Sequence, residues 1–307
     1  MDQRSWLRQN TGSLRGKTVV LTGANGGLGT ELCRGILLCG GTLVPVTRNA
    51  RKAEALTGLL KREFPDAEIH CLWADLTDFS AVEKLAEEVS QLPVDILIHN
   101  AGAYSIPRKT CPTGFDNVFQ INFLAPYDLT KRLLPLLKER KGKVVAVGSI
   151  AHNYAKTDPE DIDFSHRSAC SLVYGNSKRY LMFALMRLLR DSGVGFAIGH
   201  PGITFTNITA HYPKLIFAII KHPMKIIFMK PATAARSILL AIFREIPEGC
   251  WIGPKVFDVW GNPAVRKLHT CSEDEQARIF RTAEEIDTRL TGEKVQEMSS
   301  AEKSCAI

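Results

Sequence analysis

A tyrosine and a lysine lie four positions apart in the segment Tyr174-Gly175-Asn176-Ser177-Lys178. On a helix, side chains with this spacing lie on one face. Tyrosine, whose ordinary pKa is about 10, is a weak base at neutral pH, but an adjacent ammonium group favours its phenolate form. The pair could therefore take a proton from an alcohol or donate one to a carbonyl. If each residue is considered alone, the tyrosine is equally well explained by packing in the core, and the lysine by exposure to solvent.

A glycine-rich segment, Thr22 to Gly29, follows the first predicted strand and leads directly into a helix. Glycines let the backbone turn tightly and approach a pyrophosphate, whose charge then faces the amino end of the helix. Such a segment can be only a turn, but its place after the first strand of a βα series favours dinucleotide binding. The expected cofactor contacts in this segment are Gly23, Asn25, Gly27, Leu28 and Gly29.

The end of the second predicted strand distinguishes between the two nicotinamide dinucleotides. NAD sites normally have an acidic residue there, which accepts a hydrogen bond from the ribose 2′-hydroxyl. The segment Val46 to Lys52 contains no acid, and it includes Arg48 and Arg51. A guanidinium matches a 2′-phosphate in charge and geometry, so this segment predicts NADP(H), with Arg48 and Lys52 as contacts. The alternative is that these bases are only the exposed start of a helix.

Residues so far apart in sequence need regular elements to bring them together. Short β-branched runs alternate with longer amphipathic stretches along the chain. The predicted strands are 17–21, 42–46, 68–73, 94–99, 143–147, 194–200 and 250–252. The predicted helices are 27–39, 50–64, 79–90, a long region ending near 140, 172–190, 232–243 and 272–290. Repeated βα units of this kind predict an α/β fold, a Rossmann-type doubly wound parallel sheet with helices on both faces.

The organisation along the chain favours a single domain. No internal repeat and no linker divides residues 1–290, and the polar tail 291–307 is expected to be disordered. Pro45 fits poorly in the second strand, because proline cannot donate to the hydrogen-bond ladder of a sheet.

Composition and charge exclude several classes of protein. Apolar residues make up 45% and charged residues 23%, which argues against a disordered chain or a coiled coil. The net charge of +7 is spread along the length, so it does not indicate nucleic-acid binding. The eight cysteines form no CxxC pair and no ligand spacing, which is typical of reduced thiols in a cytoplasmic protein, and we expect no metal site. We also expect no signal peptide, membrane span or lipid anchor.

Several motifs in this order give the chain a resemblance to a known family. Asn100-Ala101-Gly102 follows the fourth predicted strand, Ser149 follows the fifth, and the tyrosine–lysine pair lies on the next helix. Over roughly residues 15–260 the chain resembles the short-chain dehydrogenases/reductases. The tyrosine follows Ser149 by 25 positions, a longer spacing than the family usually has. This insert, with Trp251-Ile252-Gly253-Pro254, resembles the branch that contains retinol dehydrogenases and protochlorophyllide reductases.

The resemblance implies an oxidoreductase that interconverts an alcohol and its aldehyde or ketone by hydride transfer. The implied catalytic residues are Asn122, Ser149, Tyr174 and Lys178. Ser149 would hold the substrate oxygen, and Asn122 would hold a water that links Lys178 to solvent; alternatively, Asn122 braces a helix kink. The further expected cofactor contacts are Asp75 and Leu76 at the adenine edge, and Asn100, Ala101, Gly102, Tyr174, Lys178, Pro201, Gly202, Ile203 and Thr206.

The segment 204–230 is crowded with apolar residues and lysines. Loops at the carboxyl ends of the strands cover the site in this fold class, so the segment predicts a substrate lid and a hydrophobic substrate such as a retinoid, steroid or lipid carbonyl. Two alternatives are a helix pair packed wholly on the core and a peripheral contact of the lysines with anionic membrane headgroups. An oligomer is also possible. The functional rivals are a catalytically idle NADP-sensing Rossmann protein that acts through partners, and a light-dependent protochlorophyllide reductase.

Overall fold

The computed structural model describes residues 2–154, 156–203, 229–268 and 271–305. Within these ranges the strands are β1 (Thr18–Thr22), β2 (Thr42–Thr47), β3 (Leu72–Trp73), β4 (Val94–His99), β5 (Lys143–Val147), β6 (Gly195–Gly199), β7 (Cys250–Val256) and β8 (Trp260–Lys267). These strands form one sheet in the order β3-β2-β1-β4-β5-β6-β7-β8. Neighbouring strands from β3 to β7 are parallel, and β8 is antiparallel to β7. The predicted Rossmann-type doubly wound sheet is confirmed.

The helices cover both faces of this sheet. They are α1 (Gln3–Asn10), α2 (Gly27–Leu38), α3 (Ala50–Glu63), α4 (Phe79–Ser90), α5 (Asn117–Phe119), α6 (Ala125–Glu139), α7 (Cys170–Leu189), α8 (Pro231–Phe243) and α9 (Glu273–Cys305). A π-helical turn, Gln120–Leu124, joins α5 to α6, and a 3₁₀ turn, Ile150–Asn153, follows β5.

The pleat of the strands divides the apolar side chains between two cores. In β5, Val144 and Ala146 belong to one core, and Val145 and Val147 belong to the other. Residues of α4, α6, α7 and α9 complete the first core, and residues of α1, α2, α3 and α8 complete the second. Because β5 is buried on both faces, its sequence is apolar without the alternation of a half-exposed strand.

Pro45 is accommodated where the pairing of β2 is interrupted. Leu43 and Thr47 make backbone hydrogen bonds on the side of β3. Pro45 faces the same side, because alternate residues of a strand share an edge. On this side, β2 is paired at Leu43, through an isolated bridge, and again at Val46 and Thr47, which pair with β3. Pro45 lies in the gap between these two contacts, where no N–H is required. The second strand is therefore confirmed despite its proline.

Some predicted boundaries were wrong. The third strand was expected over 68–73 but is limited to Leu72–Trp73. The last helix was expected over 272–290, whereas α9 runs from Glu273 to Cys305. Glu and Lys, which have a high helix propensity, make up five of the fifteen residues 291–305. Strand β8 was not predicted because Gly261 and Pro263 weaken a strand pattern, and α1 was also missed.

Most of the predicted lid, 204–230, lies outside the described residues, and so does Thr206. Of the two lid residues that are described, Met229 is buried, and its N–H donates to Ile203 O at 2.9 Å. Among the described residues, no helix combines the length and the apolar character that a membrane crossing needs. The same residues contain no group of three His, Cys, Asp or Glu that could hold a metal ion.

Candidate active site

Helix α7 and the 3₁₀ turn after β5 bring Tyr174 and Ser149 together. Ser149 caps the turn, its Oγ accepting from the N–H of Ala151 at 3.2 Å. Gly175 allows the helix to approach this turn closely, since a Cβ at Gly175 would lie 2.3 Å from Ala151 O. The side chains of Ser149 and Tyr174 are hydrogen-bonded. The tyrosine ring also meets that of Tyr104 edge to face, with 5.2 Å between the ring centroids.

Lys178 lies one helical turn after Tyr174, as the spacing predicted. The lysine is 2% exposed, and its Nζ donates to Val147 O at 3.0 Å. This Nζ lies 5.9 Å from the centroid of the Tyr174 ring. Burial lowers the pKa of Lys178 to about 8, which still leaves most of the ammonium charged at neutral pH.

Burial acts on Tyr174 in the opposite direction. Burial is the main reason that the pKa of Tyr174 is raised to about 12, and the neighbouring Tyr104 and Tyr154 raise this pKa further. The hydrogen bond from Ser149 lowers the pKa but does not outweigh burial. The protein alone therefore holds Tyr174 as a phenol at neutral pH. In this form the hydroxyl can donate a proton to a carbonyl oxygen.

Asn122 lies in the π-helical turn and is fully buried. Its Oδ1 accepts from the N–H of Ala103 at 2.7 Å, and its Nδ2 donates to Ala103 O and Ser177 Oγ, both at 2.9 Å. The amide thus joins the loop after β4 to α7. π-helical turns are often found at functional sites. These contacts support the interpretation that Asn122 braces an irregular helix. Asn122 and Lys178 both border Gly102, since a Cβ at Gly102 would lie 3.4 Å from Asn122 Oδ1 and 3.5 Å from Lys178 Nζ.

The glycine-rich segment, Thr22 to Gly29, forms a cradle whose space would be filled by side chains at Gly23 and Gly29. Gly23 has φ +65°, and a Cβ there would lie 2.7 Å from Ala101 Cα. A Cβ at Gly29 would lie 2.2 Å from Gly23 O. Gly26 caps α2 without a side-chain hydrogen bond, so the first N–H groups of the helix are available to a ligand. This geometry fits the pyrophosphate of a dinucleotide.

The cradle is held in place from the end of β4. Asn100 Nδ2 donates to Thr22 O at 2.9 Å and to Gly23 O at 3.1 Å. The Thr22 hydroxyl accepts from the N–H groups of Asn100 and Ala101, each at 3.1 Å. Asn100 therefore braces the turn. Sequence reasoning could not single out Thr22, because its role depends on contacts with residues almost eighty positions away.

Arg48 and Lys52 lie at the carboxyl end of β2 and the start of α3. Both are exposed, and neither forms an ion pair with another described residue. Asn49 caps α3 between them, its Oδ1 accepting from the N–H of Lys52. This position fits a 2′-phosphate.

The expected adenine contacts follow β3. Asp75 Oδ1 accepts from the N–H and the hydroxyl of Thr77, at 3.0 and 2.9 Å. Leu76 is buried, and its carbonyl oxygen accepts from Gln120 Nε2 at 3.2 Å. The Asp75 carboxylate is thus partly engaged within its own turn.

The loop Pro201-Gly202-Ile203 leaves the carboxyl end of β6. Gly202 has φ +77°, and a Cβ there would lie 2.6 Å from Val259 O. His200, just before the loop, is buried and stacks on Trp251, with 4.7 Å between ring centroids. Burial lowers the pKa of His200 to about 4, so its ring is neutral at ordinary pH. These observations favour packing over catalysis for His200.

The glycine cradle, Ser149, Tyr174 and Lys178 all meet at the carboxyl edge of the sheet, where ligands bind in open α/β folds. A fold and site of this kind define the class of dinucleotide-binding α/β oxidoreductases. A family model described as short chain dehydrogenase matches residues 17–214, and the chain belongs to that family.

Individual relatives agree with this assignment. Retinol dehydrogenase 14 of Homo sapiens is 30% identical over 294 residues, covering 85% of this chain and 87% of that protein. The chloroplastic short-chain dehydrogenase TIC 32 A of Brassica napus is 30% identical over 210 residues, 63% of this chain, and this match spans 66% of its length. A crystal structure of an uncharacterized protein from Mycobacterium paratuberculosis has a TM-score of 0.70 and 28% identity, covering 92% of this chain and 95% of that one. Other matching structures contain bound NADP or NADPH.

Proposed function

We propose that this oxidoreductase uses NADP(H) to interconvert an alcohol and its aldehyde or ketone, and that its substrate is hydrophobic. The observation that carries the proposal is the position of Tyr174, hydrogen-bonded to Ser149 and next to buried Lys178, at the same edge of the sheet as the glycine cradle. A proton donor and a dinucleotide cradle at one edge are what carbonyl reduction requires.

Each residue has a distinct role in this proposal. The bound cofactor supplies or accepts the hydride. Tyr174 would donate the hydroxyl proton to the carbonyl oxygen during reduction and take it back during alcohol oxidation. Ser149 Oγ, which is hydrogen-bonded to Tyr174, would hold the same carbonyl oxygen of the substrate. The charge of Lys178 would favour the phenolate during oxidation.

Two observations support a hydrophobic substrate. The segment 204–230, which follows the cofactor loop in sequence, is rich in apolar residues. Several of the matching relatives, which are about 30% identical to this chain, are named retinol dehydrogenases. We propose a retinoid, a steroid or a lipid carbonyl as the substrate class.

Replacing Arg48 by alanine should weaken NADPH binding by about ten- to a hundredfold, the usual value of a charge-assisted hydrogen bond. NADH affinity should change much less, because NADH lacks the 2′-phosphate. Titration of both cofactors against the wild-type and variant proteins measures the difference. Arg62→Ala is the matched control, since Arg62 is also an exposed arginine but lies at the far end of α3. Equal losses for NADPH and NADH would exclude a phosphate contact at Arg48.

The substrate class can be tested with NADPH and a panel of carbonyl compounds in the dark, followed by the absorbance of the cofactor. We expect turnover of retinal, steroid ketones or long-chain aldehydes, and little turnover of sugars or hydroxy acids. The opposite preference would contradict the hydrophobic substrate. Tight NADPH binding without turnover of any carbonyl would favour the idle NADP-sensing alternative.

A further inference from the structure

The turn that joins β7 to β8 has an unusual backbone for its residues. The N–H of Val259 donates to Val256 O at 2.9 Å, which closes a two-residue turn. The two central residues, Phe257 and Asp258, have φ angles of +51° and +56°. Hairpin turns with two positive φ angles favour Asn-Gly, because most side chains are strained there. A bulky aromatic residue at the first of these positions is a clear exception.

Neither packing nor turn formation accounts for Phe257. Its side chain is 81% exposed, the most exposed of the large apolar residues in the described chain. Val256 and Trp260, on either side of the turn, are 44% and 39% exposed. The residue is therefore strained in its backbone and is not compensated by burial. Strained residues that persist tend to lie at ligand sites and other functional positions.

The hairpin extends over the edge of the sheet where the candidate site lies. Strand β7 pairs with β6 in parallel at Gly199 and Ile252. Since β7 continues to Val256, its end lies about 13 Å beyond that pair in the carboxyl direction. The turn therefore lies beyond the carboxyl edge of the sheet, the edge at which Ser149 and Tyr174 also lie.

The turn is also fixed to the loop expected to contact the cofactor. His200 Nε2 donates to Asp258 O at 2.9 Å, and the N–H of Ile203 donates to Val259 O at 3.4 Å. Arg266 Nε donates to Asp258 Oδ1 at 3.3 Å across the hairpin. These contacts hold the position of the turn relative to the loop 201–203.

We propose that Phe257 is a specificity-determining residue, whose ring forms the outer wall of the substrate site and contacts the apolar part of a long or polycyclic carbonyl substrate. The inference rests on the proposed function. A substrate contact is favoured over a membrane contact because the turn is held by hydrogen bonds to the loop 201–203. Insertion into a lipid surface needs no such fixed position, whereas recognition of one substrate does.

Three variants test this role in the full chain. Phe257→Asn removes the ring and introduces a residue that tolerates a positive φ. Phe257→Leu keeps an apolar side chain. Val265→Asn is the matched control, because Val265 is 52% exposed on the same hairpin but lies on β8, away from the turn. The substrates are dodecanal and butanal with NADPH, at concentrations where both aldehydes are monomeric.

For Phe257→Asn we expect kcat/KM to fall on the order of tenfold for dodecanal and by a smaller factor for butanal, since lost apolar contact affects the longer chain more. Phe257→Leu should recover most of the dodecanal activity, and Val265→Asn should leave the ratio of the two substrates unchanged. The Tm of Phe257→Asn should rise by about 2 °C, because the strain is relieved.

An equal loss for both aldehydes, or a loss that occurs only when dodecanal is presented in phosphatidylcholine vesicles, would overturn the inference. The second result would assign Phe257 to a membrane contact. Wild-type protein that is inactive on retinal, steroid ketones and both aldehydes would contradict the proposed function itself, and the inference with it.

Discussion

Replacement of Tyr174 by phenylalanine is expected to lower turnover at least about a hundredfold, the usual scale for loss of a general acid or base. The variant loses only the hydroxyl group that hydrogen-bonds to Ser149. Its ring can keep the edge-to-face contact with Tyr104, so the site should stay folded and NADPH affinity should be nearly unchanged. Turnover with saturating NADPH, together with a titration of the cofactor, measures the two effects separately.

Tyr154→Phe provides the matched control, because Tyr154 is a nearby tyrosine with 54% of its surface exposed. This variant should keep its turnover within about a factor of two of wild type, since removing an exposed hydroxyl leaves no buried group unpaired. If Tyr174→Phe retains more than a tenth of wild-type turnover, Tyr174 is not the proton donor.

The second large effect is expected at a buried ion pair between α7 and α9. Arg179 donates to both carboxylate oxygens of Glu275, at 2.8 and 2.7 Å, and both residues are buried. Replacing Glu275 by glutamine leaves a buried guanidinium without its carboxylate. Breaking a buried pair in this way lowers the free energy of unfolding by about 3–5 kcal/mol. Urea unfolding of the two proteins measures the loss.

The same pair makes part of the stability depend on pH. Burial acts to raise the pKa of Glu275, but the hydrogen bonds and charge of Arg179 outweigh it and hold the pKa below its ordinary value of 4.5. The contribution of the ionised carboxylate is therefore complete above about pH 4.5 and is lost as the pH falls through the lower pKa of the folded state. The difference between wild type and Glu275→Gln should shrink over that acidic range.

A second ion pair between the same helices serves as the control. Glu273 lies 3.4 Å from Arg187, but its side chain is 69% exposed. Glu273→Gln should therefore change the free energy of unfolding by less than about 1 kcal/mol. Similar losses for the two variants would show that burial does not set the value of the Arg179–Glu275 pair.

Much of the fold could be predicted because its main signals are local. Strands such as β4 and β5 are buried on both faces and so are apolar along most of their length, and the helices between the strands follow a helical period. The pairing of Tyr174 with Lys178 could be predicted for the same reason, since a spacing of four is one helical turn.

Features that depend on long-range contacts could not be predicted. Arg179 and Glu275 are 96 positions apart, and no local pattern connects them. The bracing of the glycine turn by Asn100 and Thr22 joins two strand ends through single hydrogen bonds. The β7–β8 turn could not be predicted for another reason. Phe257 and Asp258 are not residues that commonly form a turn with positive φ angles.

The bracing of the glycine turn by Asn100 has a consequence for the thermodynamics of cofactor binding. Fixing the backbone of one residue in a single conformation costs about 1–2 kcal/mol in conformational entropy. Since Asn100 Nδ2 donates hydrogen bonds to Thr22 O and Gly23 O within the chain itself, this ordering takes place when the protein folds. A dinucleotide then meets a rigid turn, and more of its interaction energy is available as affinity.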